Sequence, residues 1–279
     1  PQVTVQWGFH PDALIYSSYA SWKLHHPDRT SSEATLIHNV TLWFQGHDQL
    51  YFQLKSCSQD NSTTHSPSSS KIYEANNLYS TTTVACPRFS MLGDLGWSNN
   101  QILDLTQQQI AQGDMDAMVL FGDLGYYWQH FNHTRSFMND LSHMTQAANE
   151  KVVSSTTATT TKMIPLLVSA GNGEAPYNFS DYASRFFVPC NPGQEHVCHN
   201  QWYSMNLGDA ASGGGVHLIA LSSEVLGYWP SLNTEMKFRM MQWLRNDLQH
   251  DNVPEQRQRY PWIVVHYHRP SYSSWGDPE

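Results

Sequence analysis

The strongest constraint on the fold is a series of short apolar runs in residues 87–279, several of which end in a polar block. Runs of four to seven residues are short for a helix and are typical of buried strands. Segments with helical spacing lie between them, so the pattern predicts an α/β fold with a largely parallel sheet flanked by helices. The predicted strands are Phe89 to Leu92, Ala117 to Phe121, Ile164 to Ala170, Val216 to Leu221 and Trp262 to Tyr267.

Two of the intervening segments have the pattern of a one-sided helix. Between Asn99 and Gly113 the apolar residues Ile102, Leu103, Leu105 and Ile110 share a face, and Gly113 is the expected C-terminal stop. From Thr234 to His250, Met and aromatic residues recur every three or four positions, which indicates core packing.

Residues 1–86 have a different pattern, with short β-rich runs separated by polar turns. They are predicted to form a small β-sandwich domain ahead of an α/β domain at residues 87–279. Two Ser/Thr-rich segments, Ser58 to Lys71 and Val153 to Thr161, are predicted to be surface loops. The predicted sandwich strands are Val3 to Trp7, Leu14 to Trp22, Ala34 to Phe44, Gln49 to Lys55 and Tyr79 to Ala85.

The acidic balance of the chain argues against a protein that binds nucleic acid or an anionic membrane surface. The formal net charge is −9, with 15 Lys and Arg against 24 Asp and Glu. No run of eighteen apolar residues is present that could span a bilayer. A site that handles phosphate in this chain would need local positive charge, which bound metal ions can supply.

Sequons and cysteines indicate the secretory pathway, with a secreted, vacuolar or lysosomal protein as the expectation. The chain opens on Pro1 rather than Met, so we interpret it as a mature or trimmed form. The four Asn-X-Ser/Thr sequons, which are candidate glycosylation sites, are Asn39, Asn61, Asn132 and Asn178.

Cys190 and Cys198 enclose a short loop that turns easily, and we predict a local disulfide between them. The alternative is a metal site that uses His196, Cys198 and His199, but it lacks a repeated Cys-x-x-Cys spacing. Cys57 and Cys86 each end an apparent strand, and antiparallel pairing of those strands would hold them too far apart for a bridge. Their pairing is left open.

Polar blocks follow four of the apolar runs directly. Ligands of open α/β sheets bind beyond the carboxyl ends of the strands, and a glycine lets the chain turn sharply there. Carboxylate, amide, imidazole and phenol donors suit hard to borderline metal ions. The blocks are Gly93-Asp94-Leu95-Gly96, Gly122-Asp123-Leu124-Gly125-Tyr126, Gly171-Asn172-Gly173-Glu174 and Val265-His266-Tyr267-His268.

These blocks resemble the GDxG, GDxxY, GNH(E/D) and VxxH motifs of the purple acid phosphatases, which are calcineurin-like metallophosphoesterases. The order is the same, and Asp94 and Asp123 are 29 positions apart, as one helix crossover requires. Gln201-Trp202-Tyr203-Ser204 and His268-Arg269-Pro270 extend the likeness. The resemblance covers nearly the whole chain and implies a fibronectin-like sandwich in residues 1–86.

The resemblance also implies a dinuclear metal centre of Fe(III) and a divalent Zn, Mn or Fe ion. Asp94 and Tyr126 would bind the ferric ion, Asp123 would bridge, and Asn172 and His268 would hold the second ion. The Tyr126 phenolate would give a visible charge-transfer colour. His266 is an alternative ligand on the same face of its strand, but the Pro261-Trp262 frame and Pro270 favour His268.

The implied function is an acid phosphatase that hydrolyses small phosphomonoesters with a metal-bound hydroxide, and plant members often form homodimers. Two departures qualify this expectation. The family histidine after the ligand Asn is Gly173 here, and no GHxH block with the last two histidine ligands occurs before Glu279. We therefore expect the natural chain to continue. The alternatives are a secreted pseudoenzyme that binds ligands, and a phosphodiesterase or nucleotide pyrophosphatase of the same superfamily.

Overall fold

The computed structural model describes residues 2–25, 35–57, 71–78, 87–96, 100–126, 131–152, 159–189, 200–208, 215–228 and 234–271. The fold is mixed α/β, with several sheets and helices packed against them, as the sequence predicted. None of the helices in these ranges is both long and apolar enough to cross a membrane.

The amino-terminal strands form one large sheet and a separate hairpin. The strands β1 (Gln2–Gly8), β2 (Tyr16–Tyr19), β5 (Gln49–Cys57) and β6 (Ile72–Asn76) are joined by β10 (Thr159–Met163) and β9 (Lys151–Val152) in the order β2-β1-β5-β6-β10-β9. The hairpin pairs β3 (Ser21–His25) with β4 (Thr35–Asn39).

The predicted strands of this region differ from the observed ones in three places. The run Leu14 to Trp22 is divided between β2 and β3, and the run Ala34 to Phe44 forms a strand only over Thr35–Asn39. The strand β6 was not predicted, because Ile72–Asn76 follows a Ser/Thr-rich segment and has little apolar character. The predicted strand Tyr79 to Ala85, Cys86 and the loop residues 58–70 lie outside the described residues.

The prediction of a surface loop at Val153 to Thr161 is wrong for its last three residues. Thr159 to Thr161 lie in β10, which pairs in parallel with β6, and the side chains of Thr160 and Thr161 are fully buried. Thr160 also donates a hydrogen bond to the buried Glu74 carboxylate at 3.4 Å. The β-branched threonines suit a strand, and pairing with β6 buries both side chains. The domain boundary at residue 86 stays a prediction. This sheet contains strands from both sides of that boundary.

Two three-stranded sheets form the α/β region, rather than one. The first is all parallel and orders β11 (Leu166–Ser169), β8 (Ala117–Phe121) and β7 (Phe89–Leu92). The second orders β12 (Tyr203–Leu207), β13 (Val216–Ala220) and β14 (Trp262–His266), with β12 antiparallel. The helices are α1 (Asn100–Gln112), α2 (Phe131–Met144), α3 (Pro176–Arg185), α4 (Thr234–Asp251) and α5 (Pro254–Arg259).

Alternation along β8 and β13 packs these elements into layers. Met118 and Leu120 of β8 join Ile110 of α1 and Phe137 of α2 in one apolar cluster. The intervening Ala117 and Val119 join Leu218 of β13 in a second cluster between the two sheets. Ile219 faces the other way and packs with Met240 of α4. The order is therefore helix, sheet, sheet, helix, and the carboxyl ends of β7, β8 and β11 share one edge.

Candidate metal centre

Four of the predicted ligands follow strand ends at this edge, and His268 follows β14 of the second sheet. We call these five residues the strand-end cluster. One donor atom from each of Asp94, Asp123 and His268 lies within 4.8 Å of the others. The remaining members touch these three, since the Tyr126 hydroxyl donates to Asp94 Oδ1 at 2.9 Å and Asn172 Oδ1 lies 3.1 Å from His268 Nε2. The structure therefore brings Asp94, Asp123, Tyr126, Asn172 and His268 together.

His268 is oriented by a contact with the carboxyl end of β8. Its Nδ1 lies 3.3 Å from the carbonyl oxygen of Phe121, the last residue of β8. Its Nε2 lies 3.4 Å from Asp123 Oδ1. A backbone carbonyl can only accept, so Nδ1 is the donor in this contact and Nε2 faces the oxygens of the cluster. Histidines that bind metals are commonly held in this way.

Tyr126 is protonated in the metal-free protein. Partial burial, the hydrogen bond to Asp94 and the charge of Asp123 raise the pKa of Tyr126 well above its ordinary value. An adjacent cation would oppose all three effects by favouring the phenolate. The exposed position of Tyr126, with 38% of its surface accessible, leaves the phenol within reach of an ion arriving from solvent.

Left-handed turns direct the two carboxylates into the cluster. Asp94 and Asp123 have φ of 49° and 46°, which aspartate tolerates better than most residues, and Gly122 has φ of 80°. A Cβ on Gly122 would lie 2.4 Å from the His268 ring, and one on Gly171 would lie 2.5 Å from Asp123 Oδ1. Glycine is needed at both positions because the neighbouring ligand takes the space of a side chain.

Gly173 contacts the cluster through its backbone. Its N–H donates to Asp123 Oδ1 at 2.6 Å, so the position that is histidine in the family motif here supplies an amide instead. A Cβ at Gly173 would lie 3.0 Å from the same oxygen. A larger side chain therefore requires a small shift of Asp123 and is not blocked by backbone.

Glu174 is the last residue of the third motif, and no role was predicted for it. The carboxylate is almost fully buried and accepts hydrogen bonds at 2.8 Å from the N–H groups of Asp123, Leu124 and Gly171. It therefore joins the turn that carries Asp123 to the turn that carries Asn172. The only sequence signal is an acidic residue two positions after a ligand Asn.

A second buried carboxylate anchors the β14 end of the cluster. Glu224, in the π-helical turn Glu224–Tyr228, accepts hydrogen bonds from the Arg269 guanidinium at 2.8 and 3.3 Å. The Arg269 N–H donates to Ser223 Oγ at 3.1 Å. Because Arg269 follows His268 directly, these contacts fix the chain on the carboxyl side of the ligand.

His266 lies outside the cluster. Its side chain is buried, Nδ1 is 3.3 Å from Ser169 Oγ, and Nε2 has no hydrogen-bond partner among the described residues. Burial lowers the pKa of His266 to about 4, so the ring is neutral at physiological pH. The structure therefore places His268, and not His266, beside the other predicted ligands, and the ligand role of His268 stays a prediction.

The predicted modification sites are only partly described. Asn178 is exposed on a left-handed turn of α3 with φ of 59°, Asn39 ends β4 with partial exposure, and Asn132 lies in α2. Asn61 and both Cys190 and Cys198 lie outside the described residues, and so does the segment after Ser271.

The donor set of the strand-end cluster fits metal ions. Two carboxylates, an imidazole, an amide oxygen and a phenol converge, and the backbone and Glu174 hold the turns that carry them. These are ligands for hard to borderline ions such as iron, manganese and zinc. A second His and Asp grouping, His217, Asp247 and Asp251, lies elsewhere in the fold.

The fold is that of a metallophosphoesterase, and the similarities to known proteins place the chain among the purple acid phosphatases. It is 33% identical to acid phosphatase type 7 of Danio rerio over 195 residues, which are 69% of this chain and 38% of that protein. The mouse protein of the same name is 34% identical, over 68% of this chain and 37% of its own length. Purple acid phosphatase 21 of Arabidopsis thaliana is 30% identical, over 67% of this chain and 36% of its own length.

A solved structure shares the fold. The purple acid phosphatase from yellow lupin (Lupinus luteus) seeds superposes with a TM-score of 0.61 at 17% identity, covering 96% of this chain and 46% of that chain. No protein-family model matches the chain. The matches span less than two fifths of the length of the curated relatives.

Proposed function

We propose that this protein is an acid phosphatase that hydrolyses small phosphate monoesters at a dinuclear metal centre in the strand-end cluster. The observation that carries the proposal is the convergence of Asp94, Asp123 and His268 within 4.8 Å at the carboxyl ends of their strands. The family relationship supports the same chemistry, because the curated relatives are named acid phosphatases.

The proposed ligand roles follow the family motifs. Asp94 and Tyr126 would bind Fe(III), Asp123 would bridge, and Asn172 and His268 would bind a divalent Zn, Mn or Fe ion. Two such cations would offset the charge of the phosphate oxygens and acidify a water to form the nucleophile. The contacts of Tyr126 with Asp94 and of Asn172 with His268 support this division into two groups of donors.

The described residues prepare the centre before any ion binds. The Gly173 N–H orients the Asp123 carboxylate, Glu174 fixes the backbone of Asp123, and the Phe121 carbonyl orients the His268 ring. Each of these contacts holds a ligand in place before an ion binds, so less rearrangement of the ligands accompanies binding. Contacts of this kind raise metal affinity. Tyr126 must release its proton to bind, so we expect metal affinity to increase with pH.

Metal content and phosphatase activity test the proposal together. We expect the protein loaded with iron and zinc to hydrolyse p-nitrophenyl phosphate, and Asp123→Asn to lower both the metal content and the rate by about a hundredfold or more. Asp104→Asn, on the exposed face of α1, is the matched control and should change neither. Protein that takes up no metal and stays colourless after incubation with iron and zinc would contradict the proposal.

A second candidate is a binding protein of the same fold, and Gly173 is the observation that favours it. Loss of a positioned proton donor or phosphate contact typically costs on the order of a hundredfold in rate. We expect Gly173→His to raise turnover by about that factor, while Gly173→Ala tests the crowding against Asp123 alone. Metal binding without turnover in both the parent and Gly173→His would favour the binding protein.

The same preparations separate monoesterase from diesterase chemistry. A phosphodiesterase or nucleotide pyrophosphatase would prefer bis(p-nitrophenyl) phosphate or a nucleotide pyrophosphate over p-nitrophenyl phosphate. We expect the monoester to have the higher kcat/KM.

We also propose a secreted or vacuolar/lysosomal location with N-glycans and a Cys190–Cys198 disulfide. The exposed turn at Asn178 supports the glycosylation proposal, since the acceptor there is accessible. Peptide mass mapping before and after deglycosylation, without reduction, tests both modifications. A homodimer is the proposed assembly, and sedimentation equilibrium measures it.

A further inference from the structure

His217, Asp247 and Asp251 form a second group of metal donors, which we call the buried triad. One donor atom from each lies within 4.8 Å of the others. His217 Nε2 is 2.9 Å from Asp247 Oδ2 and 3.7 Å from Asp251 Oδ2, and the three side chains are only 2, 10 and 8% exposed. Around a metal ion with bonds of about 2.1 Å, neighbouring ligand atoms are about 3.0 to 3.4 Å apart. The two separations from His217 Nε2, 2.9 and 3.7 Å, lie on either side of that range.

The triad is separate from the strand-end cluster. His217 is the second residue of β13 and pairs with Ile263 of β14, whereas the cluster lies beyond the carboxyl end of β14. At about 3.3 Å per residue, the His217 backbone is roughly 10 Å from that strand end. Asp247 and Asp251 come from α4, on the face that otherwise packs Met240 and Leu244 against the sheet.

Polar side chains of β12 form a hydrogen bond with one further atom of each residue in the triad. Ser204 Oγ donates to Asp247 Oδ1 at 2.5 Å, and Asn206 Nδ2 donates to Asp251 Oδ1 at 3.4 Å. Asn206 Oδ1 lies 2.6 Å from His217 Nδ1, so the amide accepts the Nδ1 proton. Nε2 faces the inner oxygens of both aspartates, where a bound cation could take the place of an Nε2 proton. This is the arrangement in which outer partners orient the ligands of a metal ion.

The two carboxylates of the triad carry negative charge that a bound cation would balance. Asp247 lies in the last turn of the 18-residue helix α4 and Asp251 is its last residue. The carboxyl end of a helix has a partial negative charge, so two buried carboxylates there are unfavourable without positive charge nearby. A protonated His217 would supply one charge, and His250, 3.5 Å from Asp251, is largely exposed. A divalent ion would balance both carboxylates with the imidazole neutral.

We propose that the buried triad binds a divalent transition metal ion, of the zinc or manganese class, that links β12, β13 and α4. The ligands are His217 Nε2, Asp247 Oδ2 and Asp251 Oδ2, and the ion has a structural role. Imidazole and carboxylate donors favour zinc and manganese over calcium and magnesium, which prefer sites made only of oxygen.

The test uses the full chain with the strand-end cluster disabled by Asp94→Asn and Asp123→Asn. Asparagine tolerates the left-handed backbone at both positions, so the turns are retained. In equilibrium dialysis against buffered Zn²⁺, we expect this protein to hold about one ion per chain and to show a higher Tm than in chelator. Adding Asp251→Asn should weaken Zn²⁺ binding at least tenfold, while adding Asp104→Asn should not.

X-ray absorption at the zinc edge keeps the test independent of how the Asp251 variant folds. In the disabled protein with an intact triad, we expect a single imidazole and otherwise oxygen ligands. Absence of bound Zn²⁺ and Mn²⁺ in that protein would overturn the proposal in favour of a protonated His217. Zinc that persists unchanged in Asp251→Asn would also overturn it. Neither outcome bears on the acid phosphatase proposal, because the strand-end cluster is disabled throughout.

Discussion

Glu174 holds Asp123 through the backbone, since Glu174 Oε2 accepts a hydrogen bond from the Asp123 N–H at 2.8 Å. The same carboxylate binds Leu124 and Gly171, so a single buried anion fixes two ligand turns. Hydrogen bonds to a charged group are worth roughly 1.5 to 3 kcal/mol, and an unsatisfied buried donor adds a penalty. The position of a predicted metal ligand is therefore set by a residue that binds no metal.

Glu174→Gln should lower the free energy of unfolding of the metal-free protein by about 2 kcal/mol, because the amide places an N–H against backbone N–H donors. Metal affinity should fall as well, since both turns are loosened. Urea unfolding and metal titration measure the two effects. The control is Glu235→Gln, which removes an exposed ion pair with Arg239 and should cost about 0.5 kcal/mol or less. Equal losses of unfolding free energy in the two variants would contradict the role of Glu174 in holding the two ligand turns.

Gly122→Ala and Gly113→Ala separate backbone strain from displacement of His268. Both glycines have similar positive φ, 80° and 78°, but a Cβ meets the His268 ring only at Gly122. Gly113→Ala should cost about 1 to 2 kcal/mol of unfolding free energy with metal binding intact. Gly122→Ala should cost more and should abolish metal binding at the strand-end cluster. Metal binding at the strand-end cluster that survives Gly122→Ala would contradict the assignment of His268 as a ligand.

Tyr126→Phe should remove the visible absorption band of the iron-loaded protein, because that band requires a phenolate ligand. The unfolding free energy of the metal-free protein should change by less than about 1 kcal/mol, since the lost hydrogen bond to Asp94 is exposed. Tyr19→Phe, at a largely exposed phenol of β2, is the control and should retain the band. A band of unchanged intensity in Tyr126→Phe would exclude Tyr126 as the chromophore.

The stability of the metal-free protein should fall below pH 6.5 because of His266. Its folded pKa of about 4 lies below the ordinary value of 6.5, so the unfolded state binds more protons between these values. Stability is therefore full above pH 6.5 and is lost as the pH falls toward 4, by about 2 kcal/mol between pH 7 and pH 5. Urea midpoints across this range measure the slope. His266→Gln should flatten it, while the exposed substitution His143→Gln leaves His266 in place and should retain it.

The α/β strands were predictable because burial on both faces gives an uninterrupted apolar run. The runs around Ala117–Phe121 and Val216–Ala220 coincide with β8 and β13 almost to the residue. Helix α1 ends at Gln112, and Gly113 follows with the left-handed φ that a C-terminal glycine supplies. These elements are set by local sequence, so a single sequence predicts them.

The strands β6 and β10 were not predictable because their burial depends on each other. Thr160 and Thr161 are fully buried only after β10 pairs with β6, and a run of threonines by itself indicates a polar loop. The roles of Glu174 and of the buried triad were missed for a related reason. Their partners lie about 50 residues away for Glu174 and 30 for His217, and no local pattern marks those contacts.

The pairing of β6 with β10 has a consequence for how the chain is made. During synthesis, β6 leaves the ribosome with one edge unpaired, and its partner follows more than 80 residues later. At roughly 5 to 20 residues per second, that edge stays open for several seconds or longer. An open edge is a template for association between chains. We expect a fragment that stops at residue 86 to aggregate at concentrations at which the full chain remains monodisperse.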